Sequence, residues 1–169
     1  MADEIMTDEI KVRRAQPEDL ERAAQLAARL VRQHHAVDAG RFFMPDNVER
    51  GYLAWFRQEL GRREAVILVA TSSEPGGEIV LGYCYGTLEG RDFNLLLDRH
   101  GAIHDVYVDD AVRRRGAGRL LLEAMLRELE GLGAPRVLLS TMVSNTNAQR
   151  LFASVGFRPT MLEMTRGGV

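Results

Sequence analysis

The chain has 169 residues, 46% apolar and 27% charged, and a formal net charge of −2, the composition of one ordinary globular domain. That near balance excludes a polycation built for nucleic acid or for a membrane surface. The single cysteine, Cys84, excludes an intramolecular disulfide framework and suits a reducing cytoplasm, and the longest wholly apolar run, Ala65 to Ala70, is far too short to span a bilayer.

The first ten residues carry four acids and no apolar core, so they do not read as a signal peptide. Residues 1–8 are expected to be a disordered tail ahead of a single domain. Ile10 to Arg14 alternates as a strand does. Pro17 opens a helix where its missing N–H costs nothing, with Glu18 and Asp19 in the first turn, and Leu20, Ala23, Leu26 or Ala27, Leu30 and Val31 make its apolar face. The pair His34-His35 with Asp38, at the end of that helix, lacks a further ligand for a metal and reads as a helix-end cap or loop. A second helix is predicted from about Asp46 to Arg62. Ala65 to Thr71 and Ile79 to Leu88 read as strands joined by a hairpin turn across Ser72 to Glu78. Cys84, between Tyr83 and Tyr85, reads as a small buried residue. A connection of about 90–101 follows.

The most informative stretch is IHDVYVDDAVRRRGAGRLLL, Ile103 to Leu122. A β-prone run leads through a charged turn into Arg113, Arg114, Arg115, Gly116, Ala117 and Gly118, and then into an amphipathic helix. A strand feeding a glycine-containing loop and a helix N-terminus is an anion site: the first helical N–H groups lack intrahelical partners, and the dipole favours negative charge. Arginine forks, with Arg119 among them, suit phosphate oxygens. A P-loop is excluded because Gly118 is followed by Arg119 and Leu120, and a dinucleotide fingerprint lacks its third glycine and its acid. No second basic stripe accompanies the arginines, so nucleic acid is not the expected partner.

Arg113-x-x-Gly116-x-Gly118 after a strand resembles the pyrophosphate loop of the GNAT superfamily of N-acetyltransferases. Asn145, Ala148, Leu151 and Phe152, closing with Gly156-Phe157, are similar to that family's N-x-x-A-x-x-L-[YF]-x-x-x-G-F helix. The two motifs cover roughly the last 70 residues in the family's order: strand 101–109, helix 116–132, strand 135–142, helix 145–155, strand 157–165. The resemblance implies an α+β fold with a central mixed, mostly antiparallel sheet, about four flanking helices, and splayed fourth and fifth strands. It further implies acetyl-CoA as cosubstrate, no metal, a small amine as partner, and a homodimer by analogy with the family.

In that picture the backbone N–H groups of Val106 and Val108 bind the cosubstrate with Tyr107 between them, Arg113 to Arg119 hold its pyrophosphate, Asn145 anchors the second motif, and Phe152 packs near the thioester. Acetyl transfer to an amine needs a base, and an imidazole suits deprotonation near neutral pH. His104 is the candidate, with Asp105 holding the ammonium group. Strict alternation sends these two side chains to opposite faces unless a bulge intervenes. Phe152 departs from the family's frequent tyrosine and has no proton to give the leaving thiolate, which leaves Tyr107 as the nearest hydroxyl. Glu89, Asp92 and Glu163 are candidates for an acceptor pocket that attracts a cation. The reading is a transferase for a small cationic metabolite, with a peptide or protein N-terminus, or a non-catalytic acyl-CoA-binding module, as alternatives.

Overall fold

The computed structural model describes residues 9–167, so the expected tail at 1–8 lies outside the described residues. Five strands form one sheet in the order β1 (Lys11–Arg14), β2 (Ala65–Glu74), β3 (Gly77–Glu89), β4 (His100–Val108) and β5 (Val137–Leu139). The first four are antiparallel in sequence order, and β4 and β5 are parallel. The parallel pair needs a crossover, supplied by helix α3 (Ala117–Gly131). Helices α1 (Leu20–Val37) and α2 (Val48–Glu59) cover one face, and α3 with α4 (Thr146–Ser154) covers the other.

Residue spacing explains both layers. Leu20, Ala23, Ala24 and Ala27 bury one stripe of α1 against Ile67, Val69 and Tyr83. Val66, Leu68 and Cys84, the alternate strand positions, meet Leu121, Leu122, Met125 and Leu129 of α3 on the opposite face. Each such fully buried leucine contributes roughly 1.5–3 kcal/mol.

Three boundaries differ from the sequence reading. The hairpin turn is only Pro75-Gly76, because Glu74 pairs with Gly77 and the strands continue through residues 72–74 and 77–78; Gly76 takes the positive φ of 118° that the turn requires. The strand expected at 135–142 shrinks to Val137–Leu139. Residues 157–165, expected as a strand, form none: β5 offers only a short edge, and Pro159 has no N–H to donate to a ladder.

The short β5 opens the sheet. It pairs only with Gly101, Ala102 and Ile103, so among the described residues 104–108 of β4 have no strand on that side. This is the expected splay.

Candidate active site

The register of β3 against β4 slips by one residue at the opening. Tyr85 faces Asp105, but Gly86 faces Ile103, so His104 is an extra residue in the ladder. This β-bulge cancels the alternation that would separate His104 from Asp105. Both side chains lie on the α1/α2 face, His104 stacked on Tyr85 and Asp105 against Tyr83. Gly86 permits the close approach, since a Cβ there would meet Met125 Sδ at 2.8 Å and the Ala102 carbonyl at 3.0 Å.

Asp105 is enclosed by phenols. The Tyr83 hydroxyl donates to its Oδ2 at 3.1 Å, and the Tyr52 hydroxyl lies against the same carboxylate. Burial raises the Asp105 pKa above the ordinary carboxylate value, with the Tyr83 hydrogen bond pulling the other way. Burial, then the charge of Asp105, holds the Tyr83 phenol well above its usual range.

His104 is held on two sides. Its ring stacks on Tyr85 with centroids 5.3 Å apart and planes at 29°, and its Nε2 lies 2.7 Å from Thr87 Oγ1. Tyr85 is pinned in turn, its hydroxyl donating to Glu59 Oε2 at 2.5 Å while Arg62 grips Glu59. Trp55 of α2 packs edge-on against Tyr85.

The backbone beyond the bulge faces the opening. Asp109 N–H bonds Leu81 O on β3 at 2.8 Å, and antiparallel alternation then turns the N–H groups of Val106 and Val108 away from β3. The following loop ends at α3, where Leu120 N–H is bonded to Gly116 O, leaving the amides of Ala117, Gly118 and Arg119 as the unpaired start of the helix. Arg114 and Gly116 are both left-handed, at φ 67° and 86°, a conformation that curls backbone amides inward. Arg113 lies over the Tyr107 ring and is paired with Asp110 at 2.6 Å. The strand–loop junction is clamped to α1, because Asp109 accepts from Arg22 at 2.5 Å and from Arg29 at 3.0 Å.

The other expected residues fall as follows. Asn145 caps α4, its side chain accepting from Ala148 N. Phe152 is 7% exposed and packs in the α3/α4 core against Phe157. Tyr107 points to the α1 face, its hydroxyl accepting from Gln33 and donating to Asp110 at 3.4 Å; burial, then Asp110, raises its pKa, so it keeps its proton at neutral pH. Glu89 joins His104 through Thr87. Asp92 instead caps the β3–β4 turn, accepting from the amides of Asn94 and Leu95. Glu163 is paired with Arg41, away from the other acids in sequence and bonding. His34 and His35 bond backbone carbonyls, and among the described residues no cluster of His, Cys, Asp or Glu is arranged to hold a metal. Cys84 is fully buried, and burial pushes its thiol pKa up.

Sequence reasoning missed Thr87, Tyr85, Glu59, Tyr52, Arg22 and Arg29. Only the Thr87-x-Glu89 spacing on one strand face offered any signal.

A sheet opened beside a bulged strand, with a glycine-arginine loop at a helix N-terminus beyond the opening, defines an acyl-CoA-binding transferase architecture. The chain belongs to the acetyltransferase (GNAT) family, whose model matches residues 26–157. It is 31% identical over 136 residues to N-alpha-acetyltransferase of Sulfurisphaera tokodaii, covering 78% of this chain and 77% of that protein. Mycothiol acetyltransferase of a Nocardioides species is 29% identical over 126 residues, 73% of this chain; the chain spans only 41% of that protein's length. Among solved structures, aminoglycoside N-acetyltransferase AAC(6')-Iy in complex with CoA superposes with a TM-score of 0.76 at 17% identity, over 96% of this chain and 97% of that one. At that identity the likeness shows the fold.

Family membership implies acetyl-CoA as cosubstrate. The residues fit it: the open amides at the start of α3 and the positive charge of the loop arginines suit a pyrophosphate, and the outward N–H groups of Val106 and Val108 suit an extended amide-bearing arm.

Proposed function

We propose that this protein transfers an acetyl group from acetyl-CoA to the primary amine of a small cationic metabolite, by direct attack in a ternary complex. The observation that carries the reading is the bulge at His104, which sets an imidazole and a buried carboxylate side by side, next to the backbone N–H groups of Val106 and Val108.

When bound, acetyl-CoA supplies the acetyl thioester, whose C–S bond breaks as the amine N–C bond forms, the electron pair leaving on sulfur. An acceptor that arrives as ammonium first gives one proton to water to become a free amine, and His104 accepts the second proton, which the nitrogen loses as the N–C bond forms. Asp105, beside His104, supplies the negative charge that draws in an ammonium group. The N–H groups of Val106 and Val108 hold and polarise the carbonyl, the loop from Arg113 to Arg119 fixes the pyrophosphate, and Asn145 with α4 flanks the arm. Tyr107 keeps a proton in reserve on the α1 side. A reduced, buried Cys84 fits a cytoplasmic enzyme.

A second acceptor, a peptide N-terminus, is favoured by the β3–β4 connection. Asp92 and Leu97 bridge to each other, and Arg91 pairs with Asp98, so this loop closes on itself. Phe93 and Leu96 at its tip are 79% and 89% exposed rather than packed over the site, which leaves room for a longer acceptor.

The test is release of CoA thiol from acetyl-CoA against polyamines, aminoglycosides, amino acids and short peptides, with acceptor-free controls. Turnover with small polycations supports the first reading, turnover confined to peptides supports the second, and silence across the panel contradicts both.

A further inference from the structure

The hydrogen bonds around Thr87 specify more than the position of the His104 ring. Thr87 Oγ1 lies 2.5 Å from Glu89 Oε1 and 2.7 Å from His104 Nε2, while Glu89 Oε1 and His104 Nε2 are 3.8 Å apart. Thr87 is 1% exposed, so its hydroxyl has these side chains rather than bulk water as partners. A hydroxyl has one proton to give, and an ionised carboxylate can only accept. The proton of Thr87 therefore goes to Glu89, and its oxygen is left to accept from His104. Nε2 must carry the hydrogen, and in the neutral ring Nδ1 then carries the lone pair. Among the described residues no hydrogen bond is made to Nδ1.

We infer that Thr87 and Glu89 are positioning residues that set the tautomer of His104 and make Nδ1 the atom that accepts the proton of the acceptor amine. The inference rests on the proposed acetyltransfer and on His104 as its base. As the amine nitrogen bonds to the acetyl carbon and the C–S bond breaks, one amine proton passes to Nδ1. The resulting imidazolium keeps Nε2–H on Thr87 Oγ1, and the Thr87 hydroxyl keeps its proton directed at the Glu89 carboxylate. The positive charge thus meets a carboxylate through one buried hydroxyl, and no proton need move along the chain. The proton leaves Nδ1 for the departing thiolate or for water, which resets the ring.

The ring has little freedom to adopt another arrangement. Tyr85 covers one face, and its own hydroxyl is fixed on Glu59, which Arg62 grips at 2.8 and 3.1 Å. The charged groups facing His104 come from β3 and from β4 itself: Glu89 and Asp105. Sequence spacing suggests a different role for Glu89, as a contact to the acceptor. The two roles separate kinetically, because loss of an acceptor contact common to ground and transition states raises KM, whereas loss of base positioning lowers kcat.

The experiment compares steady-state kinetics of Thr87→Val, Thr87→Ser, Glu89→Gln and His104→Gln with the unaltered enzyme, using the acceptor that turns over best. Thermal unfolding confirms that each variant is folded; Glu89 is half-exposed, so Glu89→Gln tests the relay even if Thr87→Val unfolds. The expected result is a fall in kcat of about 10²-fold in Thr87→Val and about tenfold in Glu89→Gln, with acceptor KM within about twofold, and recovery in Thr87→Ser, which restores the hydroxyl. If Glu89→Gln raises KM and leaves kcat unchanged, Glu89 is an acceptor contact and the relay is overturned. If His104→Gln abolishes turnover while Thr87→Val matches the unaltered enzyme, the relay fails and the base assignment stands. If His104→Gln itself keeps full turnover, the base assignment fails and takes the relay with it.

Discussion

The hydroxyl of Tyr83 donates to Asp105 across the β3–β4 ladder at 3.1 Å, in a pocket that raises the carboxyl pKa through burial. The folded state therefore prefers the neutral acid more than the unfolded chain does. For a group shifted in this direction, the cost to the fold is absent below the ordinary carboxylate pKa, grows as pH rises from there to the folded-state pKa, and is constant above it. Asp105→Asn removes the ionisation. Its stability relative to the unaltered protein should rise with pH through that window and then level off, as followed by urea unfolding at several pH values. A difference that does not change with pH would show that Asp105 titrates alike in both states.

The bulge depends on a residue without a side chain. Gly86→Ala places a methyl 2.8 Å from Met125 Sδ and 3.0 Å from the Ala102 carbonyl, and the carbonyl belongs to the bulged strand itself. The expected loss is about 1–3 kcal/mol of stability, the usual size of overpacking, together with lower kcat because His104 shifts. Chemical denaturation and turnover measured on one preparation check both effects.

Gly116 and Arg113 should act on the cosubstrate alone. Gly116 has φ 86° with open space around it, so Gly116→Ala strains the backbone by about 1–2 kcal/mol without a clash. Arg113→Ala removes a guanidinium beside the loop. Each is expected to raise KM for acetyl-CoA about tenfold and leave acceptor KM unchanged, as read by varying the two substrates separately.

Phe152 tests where the thiolate gains its proton. Its ring packs in the α3/α4 core against Phe157, so Phe152→Tyr adds a hydroxyl to an apolar site. The expected outcome is about 1–3 kcal/mol lower stability with kcat within about twofold. A tenfold rise in kcat would instead place that ring edge at the reacting sulfur.

The glycine-arginine loop proposed to hold the pyrophosphate is legible in the sequence because its logic is local: Arg113, Gly116 and Gly118 lie within six positions, and the helix that follows announces itself by Leu121, Leu122 and Met125. The partnership of His104 with Asp105 is not legible, because it depends on a one-residue slip against Tyr85 and Gly86 that only strand pairing decides. Thr87 reaches His104 for the same reason. Arg22 and Arg29 clamp Asp109 from 87 and 80 positions away, a distance over which no spacing rule operates. The strand expected at 157–165 shows the converse: Leu162 and Met164 alternate with Glu163 as in a strand, but strand formation also needs a paired edge, and these side chains are exposed.

The most direct measurement is acceptor-dependent CoA release by His104→Gln at saturating acetyl-CoA, beside an equilibrium measurement of acetyl-CoA binding. The expected result is a loss of about 10²- to 10⁴-fold in kcat with cosubstrate affinity retained, the signature of a lost general base. Turnover within about threefold of the unaltered enzyme would contradict it, and would move the base to Asp105 or to water.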